Sequence, residues 1–180
     1  MAVLTAAVIF VGLLCFFDLL LSFAIIRKLR HVAPESHRAP QLPGLAALAA
    51  GRPIPPFTAT TTTGSELSPA RLAGRPAVLA FFAAECQSCR EHLDQFAGYA
   101  RGFPGGAGQV AAVIAGPAEG AADIVAALTG VAQLVIEPDF GPVATAFSIG
   151  AFPTFVTLDP DGRIGGAAWA IDDLPVPQAA

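Results

Sequence analysis

Apolar positions along this chain change their spacing several times, and each change marks an element. From Met1 to Ile26 they run almost unbroken, the only ionisable side chains being Cys15 and Asp18. At 1.5 Å per residue a helix of that length more than crosses a hydrocarbon core of about 30 Å, so residues 1–26 are read as a retained transmembrane anchor. A cleaved leader would open with Lys or Arg and carry a shorter apolar run. Here Arg27, Lys28 and Arg30 follow the segment instead. A buried core helix is the weaker alternative, because a small domain rarely hides so long an apolar run. Cys15, Asp18 and Ser22 share one helix face, a candidate surface for a membrane partner or a second copy. An Asp18 that is simply protonated and tolerated in lipid is the alternative.

Residues 27–52 mix Pro, Ala and Gly without strand or helix periodicity and are read as a juxtamembrane linker, in which His31 and His37 are solvated. Regular patterning returns at residue 53 and persists to 174, with 175–180 as a tail. The β-branched FTATTTT, 57–63, predicts a strand, and GSELSPARLAGRP a turn and a short helical piece. PAVLAFFA, 76–83, is a continuous apolar run of the kind buried on both faces of a sheet. The segment after it is apolar at Cys89, Leu93, Phe96 and Ala100, one face of a helix that Gly102 closes. QVAAVIAG and AQLVIEP predict two further buried strands, with AEGAADIVAALTG and GPVATAFSIG as helices. FPTFVTLDPDGRIGGAAWA predicts a hairpin turning at Asp159–Gly162. Strand–helix alternation ending in a hairpin predicts an α/β sheet with helices on both faces.

Composition changes this picture little. The chain is 54% hydrophobic and 13% charged with a net charge of −4, and beyond the anchor's flank it has no basic cluster, which argues against nucleic-acid binding.

The chemistry lies in FFAAECQSCREHL, which holds two of the three cysteines. Cys86 falls where the buried strand gives way to the helix. Free amides and the positive end of the helix dipole favour a thiolate there. Cys89 lies one turn on, on the apolar face, within reach for a disulfide but shielded. This arrangement assigns Cys86 as the attacking sulfur and Cys89 as the resolving one. A zinc site needs four ligands and no second Cys or His pair exists; His92 is the nearest further candidate. Arg90 stands where c-type haem attachment requires His. Two inert structural thiols are the remaining alternative.

The order PPFTATTTTGSELSPARLAGRPAVLAFFAAECQSCREHL followed by GAFPTFVTLDPDGRI resembles the membrane-anchored thioredoxin-like disulfide oxidoreductases of the TlpA, ResA and MauD type, over roughly residues 54–170. The leading strand pair with its LAGRP turn, the CxxC at a strand-to-helix junction and the PTF-to-DPDGRI hairpin match in order, and the extra strand and helix near 109–137 suit this group. The resemblance implies a thioredoxin-like fold, with a central mixed sheet, a C-terminal hairpin and a last helix that here is short or absent. It also implies a cis Pro153 facing Cys86, with Phe152 offering backbone groups to a disulfide substrate. This chain departs from the family pattern at several positions. Glu85 replaces a Trp and opposes the thiolate, Gln87-Ser88 lacks proline, and Ala80 stands where plain thioredoxins bury an acid. His92 occupies the place of an acid–base glutamate and is a candidate for the same proton transfer, or a plain exposed helix residue.

The function so implied is thiol–disulfide exchange with protein partners through the Cys86/Cys89 couple, needing no cofactor, with electrons passed to or from a partner thiol protein, a membrane-embedded one being the candidate. A thiol peroxidase of the redoxin type is an alternative, although the Thr such enzymes carry four residues before the cysteine is Phe82 here. An assembly factor of the MauD kind, with incidental redox turnover, is a third. The resemblance puts the domain outside the cytoplasmic membrane, whereas the basic flank after the anchor argues the opposite.

Overall fold

The computed structural model describes residues 45–174. The anchor, the Cys15/Asp18/Ser22 face, most of the linker and the tail lie outside them. Among the described residues no helix is long and apolar enough to cross a membrane.

Among the described residues seven strands and four α-helices follow in the order β1 (Ala59–Thr60), β2 (Glu66–Leu67), α1 (Pro69–Leu72), β3 (Ala77–Ala83), α2 (Gln87–Arg101), β4 (Val110–Ala115), α3 (Ala122–Leu128), β5 (Gln133–Glu137), α4 (Pro142–Ala146), β6 (Thr154–Leu158) and β7 (Ile164–Ala168). The main sheet runs β5-β4-β3-β6-β7, with β3, β4 and β5 parallel and β6 and β7 antiparallel. This is a thioredoxin-like α/β fold with a central mixed sheet.

β3 is apolar throughout because it is covered on both faces. Its even positions, Val78, Ala80 and Phe82, face α2 and α3 and meet Phe96, Ile124 and Phe155. Its odd positions, Leu79 and Phe81, face α4 and meet Val143, Phe147 and Leu48. Phe82, Phe96 and Phe155 form an aromatic trio with ring centroids 5.6–5.8 Å apart. Each such burial contributes about 1.5–3 kcal/mol.

Two segments differ from the sequence reading. Of FTATTTT only Ala59–Thr60 joins a ladder. The Thr61 hydroxyl instead accepts the Ser65 amide at 3.0 Å and, with Thr63, meets the Ser65 hydroxyl, curling the chain into a turn. Threonine favours strands by shape, but its hydroxyl competes for backbone partners. Residues 45–52, assigned to the linker, pack on the domain: Leu48 is 2% exposed, and Gly51 and Arg52 exchange backbone hydrogen bonds with Ile164. A lone apolar residue in Ala-rich surroundings has no period to reveal it. After β7, within the described residues, a 3-10 turn, Ile171–Asp173, delivers Ile171 and Leu174 to the α2 face of the core.

A buried carboxylate ties β5 to α4. Glu137, 5% exposed, accepts the Val143 and Ala144 amides at 2.9 and 2.8 Å, satisfying two orphan donors of that helix. Gly141 lies against it so closely that a Cβ there would meet the Glu137 side chain at 2.5–2.7 Å.

Gly141→Ala should therefore destabilise the fold by about 1–3 kcal/mol through overpacking. Glu137→Gln should cost a similar amount, about 1–3 kcal/mol, because one amide oxygen faces two donors. Gly98→Ala, in the interior of α2 with open space around it, should instead stabilise by about 0.5–1 kcal/mol. Urea melts of the three variants check the opposite signs; a Gly141→Ala protein as stable as the parent would refute the buried cap.

Candidate active site at the end of the central strand

β3 ends at Ala83, and the chain crosses to α2 over Ala84, Glu85 and Cys86. Cys86 is the N-cap of α2, with φ −92° and ψ 111°, and its sulfur accepts the Cys89 amide at 3.1 Å. An N-cap position normally holds an oxygen for this purpose. Here the acceptor is a sulfur, and an amide aimed at it stabilises negative charge on it. Cys86 and Cys89 are joined as a disulfide, with their Cα atoms 5.2 Å apart. Cys86 is half-buried and Cys89 fully buried, so only the first sulfur is open to a partner.

The register of β6 against β3 pairs Thr154 with Phe81 and so brings the segment before β6 alongside the cysteines. The Phe152–Pro153 peptide bond is cis. The Phe152 carbonyl oxygen lies 3.8 Å from Cys86 Sγ. Pro153 is buried, whereas Phe152 is half-buried and touches both core clusters.

His92, half-buried one turn beyond Cys89, sets its ring edge-on to Phe155, two residues past Pro153, with centroids 6.3 Å apart. It thus lies between the cysteine helix and the proline strand. Glu85, Gln87 and Ser88 are exposed around Cys86. Phe82, four residues before it, is fully buried and offers no hydroxyl. Beside the cysteine loop, Gly116, Pro117, Ile136, Glu137, Pro138 and Asp139 line an open cleft of about 430 Å³ at the ends of β4 and β5. Phe140, 76% exposed, follows Asp139 in the chain. Among the described residues no group of three or more His, Cys, Asp or Glu is arranged to hold a metal ion.

Sequence reasoning missed Arg90, using it only to exclude haem. Its guanidinium donates to the Ala84 carbonyl at 2.8 Å and to the Cys86 carbonyl at 3.4 Å, reaches the Gly120 carbonyl at 3.5 Å, and pairs through Nε with Asp123. One side chain thus joins the loop before α2 to the start of α3. The Arg90 hydrogen bond holds the Asp123 carboxyl below the usual carboxylate range, so the pair stays ionised wherever thiols titrate. The signal in the sequence was spacing: Arg90 is four residues after the N-cap, the distance at which a helical side chain turns back over the first turn.

Solved structures share this arrangement of elements. The thioredoxin domain of a thiol-disulfide oxidoreductase from Bacteroides vulgatus is 19% identical with a TM-score of 0.55, over 70% of this chain and 92% of that one. MTB DsbF is 19% identical with a TM-score of 0.53, over 75% of this chain and 90% of its own. A secreted Mycobacterium tuberculosis disulfide oxidoreductase, described as homologous to E. coli DsbE, is 22% identical with a TM-score of 0.52, over 69% and 87%. At such identities the likeness shows the fold. No curated protein gives a significant match. The AhpC/TSA family model matches residues 50–166, from the segment packed on the sheet through the cysteine pair to the hairpin. With well over half of its length inside that match, the chain belongs to the AhpC/TSA family.

Proposed function

We propose that the protein is a membrane-tethered thiol–disulfide oxidoreductase that exchanges disulfides with protein partners through Cys86 and Cys89. The observation that carries this reading is the half-buried Cys86 sulfur, bonded to Cys89, accepting the Cys89 amide and lying beside the Phe152 carbonyl. The solved neighbours described as disulfide oxidoreductases support it, as does the likeness to TlpA-type proteins.

In the reducing direction the Cys86 thiolate attacks one sulfur of a partner disulfide. A mixed disulfide forms, and the partner's other sulfur leaves as a thiolate. Cys89 then gives up its proton and attacks Cys86, releasing the second partner thiol and restoring the Cys86–Cys89 bond. Two electrons pass to the partner, and the oxidising direction is the same sequence reversed. Phe152 and Pro153 are the docking edge: in the mixed disulfide the partner's backbone lies along the Phe152 peptide. His92 is the candidate acceptor for the Cys89 proton. No resident cofactor enters, because the cysteines themselves cycle.

Residues 1–26 tether the domain, and we place that domain outside the cytoplasmic membrane, with a membrane-embedded thiol protein as electron partner. Peroxide reduction at Cys86 is the competing reading that family membership keeps in view. The fully buried Phe82, in place of a hydroxyl donor, weighs against it.

Given a dithiol, the full chain should reduce insulin, and Cys86→Ser should lower the rate to background. Cys89→Ser should accumulate partner proteins linked to Cys86 and released by dithiothreitol. Partner adducts trapped in Cys86→Ser but not in Cys89→Ser, or peroxide consumption outrunning insulin reduction, would overturn disulfide exchange through Cys86. A Cys86→Ser, Cys89→Ser double variant that still supports the cellular role would instead favour an assembly function. In cells the protein should stay with membranes after an alkaline wash, and protease added to spheroplasts should remove its domain. Protection from that protease would reverse the sidedness.

A further inference from the structure

We propose that Arg90 and Asp123 form a charge pair that sets the reactivity of Cys86, the guanidinium promoting the thiolate and the carboxylate restraining it. This rests on the disulfide-exchange reading, in which Cys86 is the attacking sulfur.

The groups that favour a Cys86 thiolate from the backbone are the Cys89 amide and the dipole of α2. Side chains add a field of mixed sign. Glu85 precedes the cysteine, Glu91 and His92 follow on α2, and Glu119 and Asp123 come from the segment entering α3. Asp139 comes from the loop after β5, and residues 150–153 carry no charge. Arg90 is the one permanent cation among these groups. The other arginines of the described residues lie elsewhere: Arg75 ahead of β3, Arg101 at the end of α2, Arg163 in the β6–β7 turn, Arg52 and Arg71 in earlier segments.

Arg90 is held to the backbone on either side of Glu85, at Ala84 and at Cys86. Nη1 binds the carbonyl of Cys86 itself and Nη2 that of Ala84, so the positive charge stays within a residue or two of Cys86 along the backbone. A guanidinium so placed favours the charged form of a neighbouring thiol. Asp123 grips the same guanidinium from α3 and offsets part of its field. The two carbonyl bonds do not involve Asp123, so they retain Arg90 when that carboxylate is neutralised. Arg90 is therefore a positioning and charge-setting residue that acts through Cys86.

The two charges have opposite signs, and the test follows from that. In the full chain, reduced Cys86 is alkylated with iodoacetamide across pH, with peptide mapping to separate it from Cys15 and Cys89. Arg90→Met should move the alkylation midpoint up by about 0.5–1 pH unit, roughly three- to tenfold less thiolate at a given lower pH. Asp123→Asn keeps an oxygen for Arg90 Nε but removes the charge; it should move the midpoint down, by about 0.3–0.5 pH unit because both groups are partly exposed. Arg90→Lys, with the charge but not the fork, should fall between Arg90→Met and the parent. High salt should shrink each shift.

A purely mechanical clamp predicts that Arg90→Met and Asp123→Asn, which both weaken one ion pair, displace the midpoint in the same direction. That result, or no movement in either, overturns the proposal. Thermal melts identify a variant that has merely unfolded, and the near-isosteric Asp123→Asn then decides on its own sign. If Cys89 is the sulfur alkylated first in the parent, disulfide exchange by Cys86 falls and this proposal falls with it. With Cys86 first, the signs alone decide.

Discussion

A helix that begins at residue 87 has orphan amides in its first turn, and the one at Cys89 ends on the Cys86 sulfur 3.1 Å away. Nearly every other feature of this end of the molecule serves to keep that sulfur there. The β3–α2 crossing must be tight, and it packs against two glycines. A Cβ on Gly116, whose φ is +119°, would lie 3.0 Å from the Ala84 Cβ, and one on Gly120 would lie 3.3 Å from it. Side chains at either position would press on the loop two residues before the cysteine. On the other side, antiparallel pairing of β6 with β3 brings the Phe152 carbonyl to the same sulfur. The hydrogen bond is local, but the geometry that exposes its acceptor is a product of the whole sheet.

How much of this was legible in the sequence follows from the range of each interaction. β3 and α2 were readable because strand and helix periodicities are local, and the cysteine pair sits where one gives way to the other. The hairpin at Asp159–Gly162 was readable for the same reason, since turn chemistry is written in four adjacent residues. The Phe152–Pro153 motif came through resemblance, because no local rule points to a particular proline. The buried Glu137 was invisible: a carboxylate ending an apolar strand reads as a strand terminus, and only the fold reveals two amides of α4 aimed at it. Arg90 was hidden differently. Its helical neighbours were legible, but its partners at Gly120 and Asp123 are 30 and 33 residues away.

The same local-versus-global division bears on which way electrons flow on the proposed reading. Whatever stabilises the Cys86 thiolate stabilises the reduced pair and makes the disulfide a stronger oxidant. The Cys89 amide, the α2 dipole and Arg90 all act in that direction. Glu85, Glu119, Asp123 and Asp139 act against it, and Gln87-Ser88 adds no charge. These are side-chain and backbone contributions of comparable kind, and about 30 mV separates outcomes that differ by 1.4 kcal/mol, roughly one hydrogen bond to a charged sulfur. A couple balanced by opposing terms of that size lets the partner's own thiols decide the direction. In that case specificity must come from docking along the Phe152–Pro153 edge more than from driving force, because a weakly biased couple that bound every disulfide equally would exchange with them all.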